Sequence, residues 1–345
     1  MPSAPSTRAP STSRTHRTRR VRALTYNLLH GGAGREDLIT AVLERADADV
    51  MALQEASDLD LVARLGERLG ATVHVGTPSD PASTLNVAVL SRLAVTRALN
   101  HRHPGMLRTH LEVTVRLPSR SMPRLRLHVL HLAARFGETR NGEARRMREI
   151  AHVMRDIAKA PLGPHCIVGD LNAVAPGDVV AATDFFARMR ELREAGLLVR
   201  YDDGTTGPVP RPDDDDDEHD ARWWAVDIHP RLDVGIPTLP AAFHPATQFL
   251  PRIDMLDRLL NTRIRRDTLE HLTRIGYVDS YRALHDDDGY TCATWLPAAR
   301  IDYVLADPLL ADRLVACDVI GGPAQTDPDA VNASDHYPVV AEFRY

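Results

Sequence analysis

Cysteine is scarce in this chain of 345 residues, and long apolar runs are absent from it. The three cysteines, Cys166, Cys292 and Cys317, are odd in number and widely spaced. That pattern excludes a disulfide framework and a cysteine-based zinc site, so we expect reduced and mostly buried thiols. No apolar run approaches the roughly 20 residues that a membrane-spanning helix requires, so the sequence predicts no transmembrane segment.

The chain also lacks an overall basic charge. Its formal net charge is -5 at pH 7, and its pI is about 6.3. Proteins that bind duplex nucleic acid usually carry a basic patch, so charge alone does not favour a nucleic-acid substrate. It does not exclude one either, because a local groove can be basic on an acidic protein.

A secretory signal is missing from the first 20 residues, which are rich in Ser, Thr, Pro and Arg and contain no apolar core. We predict a disordered basic leader over residues 1–20, followed by one domain over residues 21–345. The alternative for the leader is an arm that binds nucleic acid or a membrane surface. The missing signal and the unpaired cysteines favour a cytoplasmic location. No feature of the sequence implies a protein partner.

Strand-like and helix-like segments alternate along the chain. Apolar residues recur at helical spacing in residues 37–45, 58–69 and 141–158, which predicts amphipathic helices there. Apolar or alternating runs predict strands at 21–28, 49–53, 72–75, 85–90, 109–117, 125–131, 165–169, 303–305 and 339–341. Several of these runs are apolar throughout, as in strands that are covered on both faces. The alternation predicts an α/β fold.

Residues 175–272 break this alternation, and we interpret them as an insertion carried by the core. They include many prolines, the acidic run of residues 213–218 and the pair Trp223-Trp224. The acidic run lacks the turn glycine of a calcium-binding loop, so we expect a solvated loop. The tryptophans either pack the insertion or face a substrate. A helix at 256–272 is predicted to close the insertion.

Five short motifs with acidic or amide side chains each stand at the end of a strand-like apolar run. They are Thr25-Tyr26-Asn27, Leu53-Gln54-Glu55, Gly169-Asp170-Leu171-Asn172, Arg300-Ile301-Asp302-Tyr303 and Ser334-Asp335-His336. Polar groups at strand ends contribute little to a core, and such positions commonly carry functional residues. Because the motifs run from the first predicted strand to the last, a site built from them draws on the whole chain.

The side chains in these motifs supply the oxygen ligands that Mg²⁺ and Mn²⁺ prefer. They are the carboxylates of Glu55, Asp170, Asp302 and Asp335 and the amides of Asn27 and Asn172. No cysteine–histidine cluster at zinc spacing competes with them. A divalent cation beside His336 suits the hydrolysis of a phosphate ester, because the cation neutralises oxyanion charge and a base activates water. Ser334 is not expected to be a nucleophile, because no Gly-x-Ser-x-Gly elbow accompanies it.

Taken in order, the five motifs resemble the signature of the endonuclease/exonuclease/phosphatase family. That family includes deoxyribonuclease I, exonuclease III-type repair nucleases, neutral sphingomyelinases and inositol polyphosphate 5-phosphatases. Residues 86–92 also resemble its central strand motif. The resemblance covers residues 21–176 and 276–345 and leaves the insertion unmatched. It implies a four-layered α/β sandwich, in which two mixed β-sheets pack face to face with helices outside.

The resemblance also implies roles for the acidic and amide residues. Glu55 is then the main ligand of Mg²⁺ or Mn²⁺, with Asn27 and Asp335 near the same ion. Asp170 is implied to orient or deprotonate the attacking water. Asn172 is implied to donate a hydrogen bond to the phosphate.

Two histidines are implied to take part in the same chemistry. His336 contacts the scissile phosphate or acts as base, and Asp302 holds its imidazole in one tautomer. His131 stands where the deoxyribonuclease I-like and sphingomyelinase-like members carry a histidine and the exonuclease III-type enzymes a tyrosine. We expect His131 to protonate the leaving oxygen, with a structural histidine at a strand end as the alternative.

The remaining basic residues have no such match. The histidines among them, His101, His103 and His128, are expected to be surface or core residues. The arginines that follow His131 either meet an anionic substrate or form a solvated helix face; they are Arg135, Arg140, Arg145 and Arg146. Adjacent residues point about 100° apart on a helix, so the last two cannot both face the site.

The motifs leave the substrate open, because the surrounding loops choose it. Two histidines favour a phosphodiester, since a poor leaving alkoxide needs a proton donor. We therefore predict a metal-dependent phosphoester hydrolase, and within that class a phosphodiesterase. The alternatives are a Mg²⁺-dependent DNA endonuclease or exonuclease and an inactive binding module on the same fold. A small molecule, a lipid headgroup and a nucleic acid all stay open as the substrate, and the aromatic residues that could meet a lipid are Trp223, Trp224 and Phe243.

Overall fold

The computed structural model describes residues 19–134, 142–184, 198–200, 206–208, 254–294, 298–322, 325 and 327–345. The strands in this part of the chain are β1 (Arg20–Asn27), β2 (Val50–Gln54), β3 (Thr72–Gly76), β4 (Val87–Ser91), β5 (Val95–His101), β6 (His110–Arg116), β7 (Arg124–His131), β8 (His165–Asp170), β9 (Leu198–Arg200), β10 (Thr206–Pro208), β11 (Val278–Asp279), β12 (Asp302–Ala306), β13 (Leu314–Val319) and β14 (Val339–Arg344). The α-helices there are α1 (Glu36–Ala46), α2 (Leu59–Leu69), α3 (Gly142–Lys159), α4 (Asp254–Asn261), α5 (Asp267–Arg274), α6 (Pro308–Ala311) and α7 (Pro328–Ala333).

Two mixed sheets of six strands each form the centre of the molecule. The first sheet has the order β13-β14-β1-β2-β4-β3, and the second has the order β11-β12-β8-β7-β6-β5. Each contains one parallel pair near its middle, β1 with β2 and β7 with β8, and its other neighbours are antiparallel. A separate two-stranded ribbon consists of β9 and β10.

The sheets pack face to face, and helices cover their outer faces. Strands β1 and β2 contact β8 across the interface, and one apolar core contains side chains from both sheets. Helices α1 and α2 pack on the first sheet, while α3 and α5 contact each other and pack on the second. This arrangement confirms the predicted four-layered α/β sandwich.

The pleat of β7 shows how the sequence supplies two apolar faces. Leu127 and Val129 belong to the core between the sheets, whereas Leu130 packs in the outer cluster with Ile150 and Val153 of α3. Side chains alternate between the faces of a strand, so a strand buried on both faces needs apolar residues at almost every position. Each fully buried aliphatic side chain of this kind contributes about 1.5–3 kcal/mol to stability.

Most predicted elements are present with ends shifted by one or two residues. The helix predicted at 58–69 is α2, and Asp58 serves as its N-cap by accepting a hydrogen bond from the backbone N–H of Leu61 at 2.9 Å. The single helix predicted at 256–272 is wrong, because the chain forms α4 and α5 there. The Arg266 side chain donates to the backbone carbonyls of Asn261 and Ile264, which stabilises the turn between the two helices.

Several other predictions can be compared with the described residues. Cys166 and Cys317 are buried and Cys292 is partly buried, and all three are free thiols, as predicted. No helix in the described part of the chain is long and apolar enough to cross a bilayer. The acidic run, the tryptophan pair and Phe243 lie outside the described residues.

Gly169 allows the parallel strands β7 and β8 to lie close together. Its φ is +150°, and a Cβ atom there would lie 1.9 Å from the carbonyl oxygen of Leu130. Leu130 and Gly169 are partners across the strand pair, and the next partners are His131 and Asp170. The glycine of the Gly169-Asp170 motif is therefore required by packing, one residue before the polar side chains begin.

We expect Gly169→Ala to lower the free energy of unfolding by at least about 2 kcal/mol, because the new Cβ collides with backbone that cannot move independently. Urea denaturation followed by circular dichroism measures the change. Gly163→Ala is the matched control, since a Cβ at Gly163 would meet no described atom within 4 Å. Equal unfolding midpoints for the two variants would show that the close approach at Gly169 is unimportant.

Candidate active site

Polar side chains from both sheets meet at one edge of the sandwich. The parallel strands β1 and β2 end at Asn27 and just before Glu55. The parallel strands β7 and β8 end at His131 and Asp170, which are partners across that pair. Because β12 is antiparallel to β8, its first residue, Asp302, lies opposite Asp170. Strand direction therefore brings residues that are distant in sequence to a common edge.

The segment before β14 completes this edge. Since β14 is antiparallel to β1, the residues Ser334, Asp335 and His336 lie near the end of β1. The Ser334 hydroxyl donates to the backbone carbonyl of Asn27 at 2.7 Å. The Thr294 hydroxyl in turn donates to the backbone carbonyl of Ser334 at 2.7 Å. The buried Ser334 hydroxyl thus fastens the C-terminal motif to the first strand.

The Asn27 side chain connects the two sheets at this edge. Its amide nitrogen donates to Glu55 Oε1 and to Asp170 Oδ2, both at 3.2 Å. Its amide oxygen accepts from the backbone N–H of Leu29 at 2.9 Å, which fixes the orientation of the amide. Glu55 follows a strand of the first sheet and Asp170 ends a strand of the second. One amide group therefore holds a carboxylate from each sheet.

Glu55 is held in a strained turn directly after β2. Its φ is 54°, a left-handed conformation that is uncommon for residues other than glycine. Its Oε2 accepts from the backbone N–H of His30 at 2.8 Å. Burial alone would raise the pKa of Glu55, but His131, His30 and Asn27 outweigh that effect and lower the pKa to about 2. Glu55 is therefore negatively charged at neutral pH.

The pKa of Asp170 is shifted in the opposite direction to that of Glu55. Burial, together with the charge of Asp302, raises the pKa of Asp170 to about 7. Its Oδ1 accepts from the backbone N–H of Asn172 at 2.9 Å, and its Oδ2 lies 3.6 Å from His131 Nε2. The Asn172 amide nitrogen donates to the backbone carbonyl of Leu132 at 3.2 Å. Asn172 thus holds the loop after β8 against the end of β7.

His336 and Asp302 form a buried pair. His336 Nδ1 lies 2.8 Å from Asp302 Oδ2, and His336 Nε2 lies 3.7 Å from Asp335 Oδ2. Burial alone would lower the pKa of His336, but Asp302 and its other neighbours, Cys292 and Asp335, raise it well above its ordinary value. His336 is therefore an imidazolium at neutral pH, with its Nδ1–H donating to Asp302.

His131 is neutral in the same surroundings. Burial, followed by the positive charge of Arg108, lowers the pKa of His131 to about 3. Its Nδ1 is buried and has no hydrogen-bond partner among the described residues. The two histidines of the site therefore differ in charge, because Asp302 bonds to His336, whereas burial and the nearby Arg108 act on His131.

Asp335 lies close to Glu55 in this edge of the molecule. Burial raises the pKa of Asp335, and the negative charge of Glu55 raises it further. Two groups of potential metal-ligand atoms occur here among the described residues, Asp335 with His336 and Cys292, and Asp170 with Asp302 and His336. Within each group the atoms lie within 4.8 Å of one another. Glu55 is in neither group and is linked to Asp170 through Asn27.

All eight predicted site residues are thus gathered at one edge by direct contacts or shared neighbours. They are Asn27, Glu55, His131, Asp170, Asn172, Asp302, Asp335 and His336. Six of them are buried, Glu55 and Asn172 are partly buried, and the carboxylates outnumber the cationic groups. Such a pocket attracts a divalent cation, because adjacent buried carboxylates repel one another.

Of the four arginines after His131, Arg145 and Arg146 lie in the first turns of α3, where Arg145 is partly exposed. Arg146 is buried, pairs with Glu143 at 2.5 Å and donates to the backbone carbonyl of Ala133 at 3.0 Å. Arg146 therefore neither faces a substrate nor forms part of a solvated helix face, the two predicted alternatives. Its guanidinium instead stabilises the start of α3. Arg135 and Arg140 lie outside the described residues.

Two residues near the site carried no signal in the sequence. Arg108 is buried in the turn before β6, and its charge acts on His131. Cys292 lies beside His336 and pairs with it through a short antiparallel β-bridge of the backbone. Neither belongs to a motif, so only the folded arrangement of the chain places them at the site.

Known structures share this fold. A structure described as an endonuclease/exonuclease/phosphatase from Beutenbergia cavernae matches with a TM-score of 0.56 at 17% identity, over 94% of this chain and 72% of that one. An AP endonuclease from Archaeoglobus fulgidus matches with a TM-score of 0.56 at 14% identity, over 94% of this chain and 100% of that one. A 3′ phosphatase from Neisseria, bound to a product DNA hairpin, matches with a TM-score of 0.52 at 17% identity, over 94% of this chain and 100% of that one.

At these identities the structural likeness shows the fold alone, and no curated protein matches the sequence. The sequence model of one family, however, matches residues 24–336, from β1 to the histidine of the last motif. That match covers the motifs at every strand end described above. The chain belongs to the Endonuclease/Exonuclease/phosphatase family, whose enzymes hydrolyse phosphate esters.

Proposed function

We propose that this phosphoester hydrolase is a divalent-metal-dependent phosphodiesterase that works by attack of an activated water on phosphorus. The observation that carries the proposal is the Asn27 amide, which holds Glu55 and Asp170 together from opposite sheets. Beside them, His336 supplies a positive charge in contact with Asp302. An anionic ligand site, a base and a cationic donor therefore lie in one pocket.

The residues present fit Mg²⁺ or Mn²⁺. Four carboxylates and two amides converge, and hard divalent cations prefer such oxygen donors. Asp302 Oδ1 is buried without a hydrogen-bond partner among the described residues, which shows that the local bonding does not satisfy every carboxylate oxygen. We propose Glu55 as the principal ligand and Asp335 as the second. When bound, the ion would neutralise charge on the phosphate oxygens.

The orientation of Asn27 refines its proposed role. The amide nitrogen faces the carboxylates of Glu55 and Asp170, and the amide oxygen accepts from Leu29. A direct bond from Asn27 to the ion would use this oxygen, in addition to its bond with the backbone. We therefore propose that Asn27 stays near the ion and orients Glu55 by donating to it.

Asp170 and Asn172 are suited to handle the attacking water and the phosphate. A general base works best when its pKa is near the working pH, and the pKa of Asp170 is about 7. We propose that Asp170 accepts the proton of the attacking water. Asn172 bonds to Leu132 through its amide nitrogen, and we propose that its second N–H donates to a phosphate oxygen.

The charge of His336 favours one of its two predicted roles. An imidazolium cannot accept a proton, so we propose that His336 binds the scissile phosphate as a cation through Nε2–H. Asp302 holds the other ring nitrogen at 2.8 Å and keeps the ring oriented toward the pocket. The base is then Asp170.

His131 is proposed to protonate the leaving oxygen. Its pKa of about 3 means that the ring is neutral before the substrate binds. The substrate phosphate adds a negative charge close to the ring, which favours the protonated form. An alkoxide is a poor leaving group, so a proton donor in this position is the reason for preferring a diester substrate.

A DNA nuclease is the second candidate. The observation in its favour is that one protein with this fold, the 3′ phosphatase from Neisseria, is bound to a DNA hairpin. Parallel assays with supercoiled duplex DNA, sphingomyelin vesicles and a sugar phosphate would rank the candidates by kcat/KM. A cytoplasmic location, the leader at 1–20 and the insertion at 175–272 stay predictions.

The site assignment predicts that Glu55→Ala lowers the hydrolysis of bis-p-nitrophenyl phosphate by roughly 100-fold or more, because an electrostatic stabiliser of the transition state is lost. The wild-type protein is expected to need Mg²⁺ or Mn²⁺ and to lose activity in EDTA. Glu44→Ala, at an exposed position on α1, is the matched control and should retain wild-type rates. Full metal-dependent hydrolysis by Glu55→Ala would refute the site, and no hydrolysis with any divalent ion would favour a binding module.

The role of His131 predicts a dependence on the leaving group. We expect His131→Gln to lose roughly 100- to 10,000-fold with a dinucleoside monophosphate, whose leaving alkoxide needs a proton. With bis-p-nitrophenyl phosphate the loss should be roughly tenfold or less, because nitrophenolate leaves without protonation. His74→Gln, on β3 of the other sheet, controls for the substitution. Equal losses with both substrates would exclude proton donation by His131.

A further inference from the structure

Three histidines and an aspartate form a second cluster, away from the candidate active site. The cluster consists of His101, His103, His110 and Asp156, and we call it the histidine cluster. His101 ends β5, His103 lies two residues further on, His110 begins β6, and Asp156 is on α3. The sequence predicted no common role for these residues, because they belong to no motif and are spread over more than 50 positions.

The histidine cluster lies on the outer face of the second sheet. His110 is the strand partner of Leu130, and Leu130 packs with apolar residues of α3 in the outer cluster. The next residues along each strand, Leu111 and His131, belong to the opposite face because side chains alternate. Leu111 is accordingly part of the core between the sheets. The sheet itself therefore separates the histidine cluster from the site that contains His131.

Three imidazole nitrogens converge on one carboxylate oxygen. Asp156 Oδ2 lies 2.6 Å from His103 Nε2, 3.2 Å from His101 Nδ1 and 3.5 Å from His110 Nδ1. All four potential ligand atoms lie within 4.8 Å of one another. For comparison, a tetrahedral zinc ion with bonds of about 2.1 Å separates its ligand atoms by about 3.4 Å. The four atoms therefore already lie near the spacing that such an ion requires.

Neighbouring side chains orient two of the rings toward the centre of the histidine cluster. His101 Nε2 lies 3.1 Å from Glu112 Oε2, and His110 Nε2 lies 3.0 Å from His128 Nδ1. When each Nε2 carries the proton and donates it outward, each Nδ1 presents a lone pair inward. Histidine ligands of metal ions characteristically donate their other N–H to such a partner.

Glu112 is itself held in place for this role. Its Oε1 lies 3.3 Å from Arg97 Nε and 3.8 Å from Arg126 Nε, so the arginines engage one oxygen and leave the other facing His101. Asp156 is arranged in a similar way, because its Oδ1 lies 3.8 Å from Lys159 Nζ and its Oδ2 faces the rings. The outer contacts thus direct one oxygen of each carboxylate inward.

An unsatisfied atom points into the histidine cluster. His110 is fully buried, and its Nδ1 has no hydrogen-bond partner among the described residues. A buried polar atom without a partner costs about 1–3 kcal/mol. A metal ion bound at the centre of the cluster would use this lone pair.

We propose that His101, His103, His110 and Asp156 bind one zinc-class transition-metal ion. Imidazole nitrogen is a ligand for zinc and its neighbours in the first transition series, whereas Mg²⁺ prefers oxygen. Four protein ligands close a tetrahedral shell, which is the arrangement of structural rather than catalytic zinc sites. The two proposed metal sites of this protein therefore differ in ligand chemistry, one oxygen-rich and the other nitrogen-rich.

An ion in the histidine cluster would fasten the segment between β5 and β6 to α3. That segment contains Arg108, whose charge acts on His131, and Leu107, whose backbone N–H donates to Glu149 of α3 at 3.3 Å. Three of the four ligands flank or belong to this segment, and the fourth is on the helix. The ion would therefore hold Arg108 at a constant distance from the active site.

Titration of the full-length, EDTA-treated protein with Co²⁺ tests the proposal, because tetrahedral Co²⁺ absorbs visible light much more strongly than octahedral Co²⁺. We expect the intense absorption to saturate at one equivalent and Zn²⁺ to abolish it by competition. His103→Ala, at a partly exposed position, and Asp156→Ala should both lose the signal. Glu112→Gln should weaken binding by roughly 10- to 100-fold, as expected for the loss of a partner behind a ligand.

Two control variants separate the histidine cluster from other sites. His74→Ala removes a histidine of the first sheet, and Asp335→Ala alters the oxygen-rich site; both should keep the tetrahedral signal. Circular dichroism checks that each variant is folded, and a Zn²⁺-induced rise in melting temperature should disappear with His103→Ala. Absence of a tetrahedral signal in the folded wild-type protein, or its persistence in both His103→Ala and Asp156→Ala, would overturn the proposal.

Discussion

The hydrogen bonds from the Asn27 amide to Glu55 and Asp170 are the interaction on which the candidate active site depends. They join carboxylates that belong to different sheets, and they can form only if both sheets end at the same level. That level is set by the parallel pairs β1 with β2 and β7 with β8, and by the antiparallel strands that begin where those pairs end. Gly169 contributes by letting β8 lie close to β7, one residue before Asp170.

Grouping acidic side chains in a buried pocket is unfavourable, and the pKa values of these groups shift in response. Glu55 stays ionised because N–H groups and histidines surround it, whereas burial and Asp302 raise the pKa of Asp170. Asp302 also stabilises the charge on His336. These opposite shifts support the proposed division of ligand, base and cationic donor among different side chains, and the remaining negative charge is the physical reason to expect a divalent cation.

The second sheet places different chemistry on its two faces. His131 and Asp170 point toward the interface between the sheets, while His110 and His128 lie under α3 on the outer face. The segment between β5 and β6 contributes to both regions. It carries His103, which contacts Asp156 of the histidine cluster, and Arg108, whose charge acts on His131. The pleat of the strands thus separates the residues that the second sheet contributes to the candidate active site from the nitrogen-rich cluster on its outer face.

The sequence by itself determined the alternation of strands and helices, because apolar periodicity is local. It also determined the side chains of the candidate active site, because they stand in motifs at strand ends. It did not determine that the helix expected at 256–272 divides into two, since Arg266 bonds to carbonyls only in the folded chain. Nor did it determine the amide orientation of Asn27, the charges of Asp170 and His131, or the histidine cluster. Those features depend on burial, on neighbours from other strands and on the helix above the sheet. Only the tertiary structure decides them, because it brings together residues that have no fixed spacing along the chain.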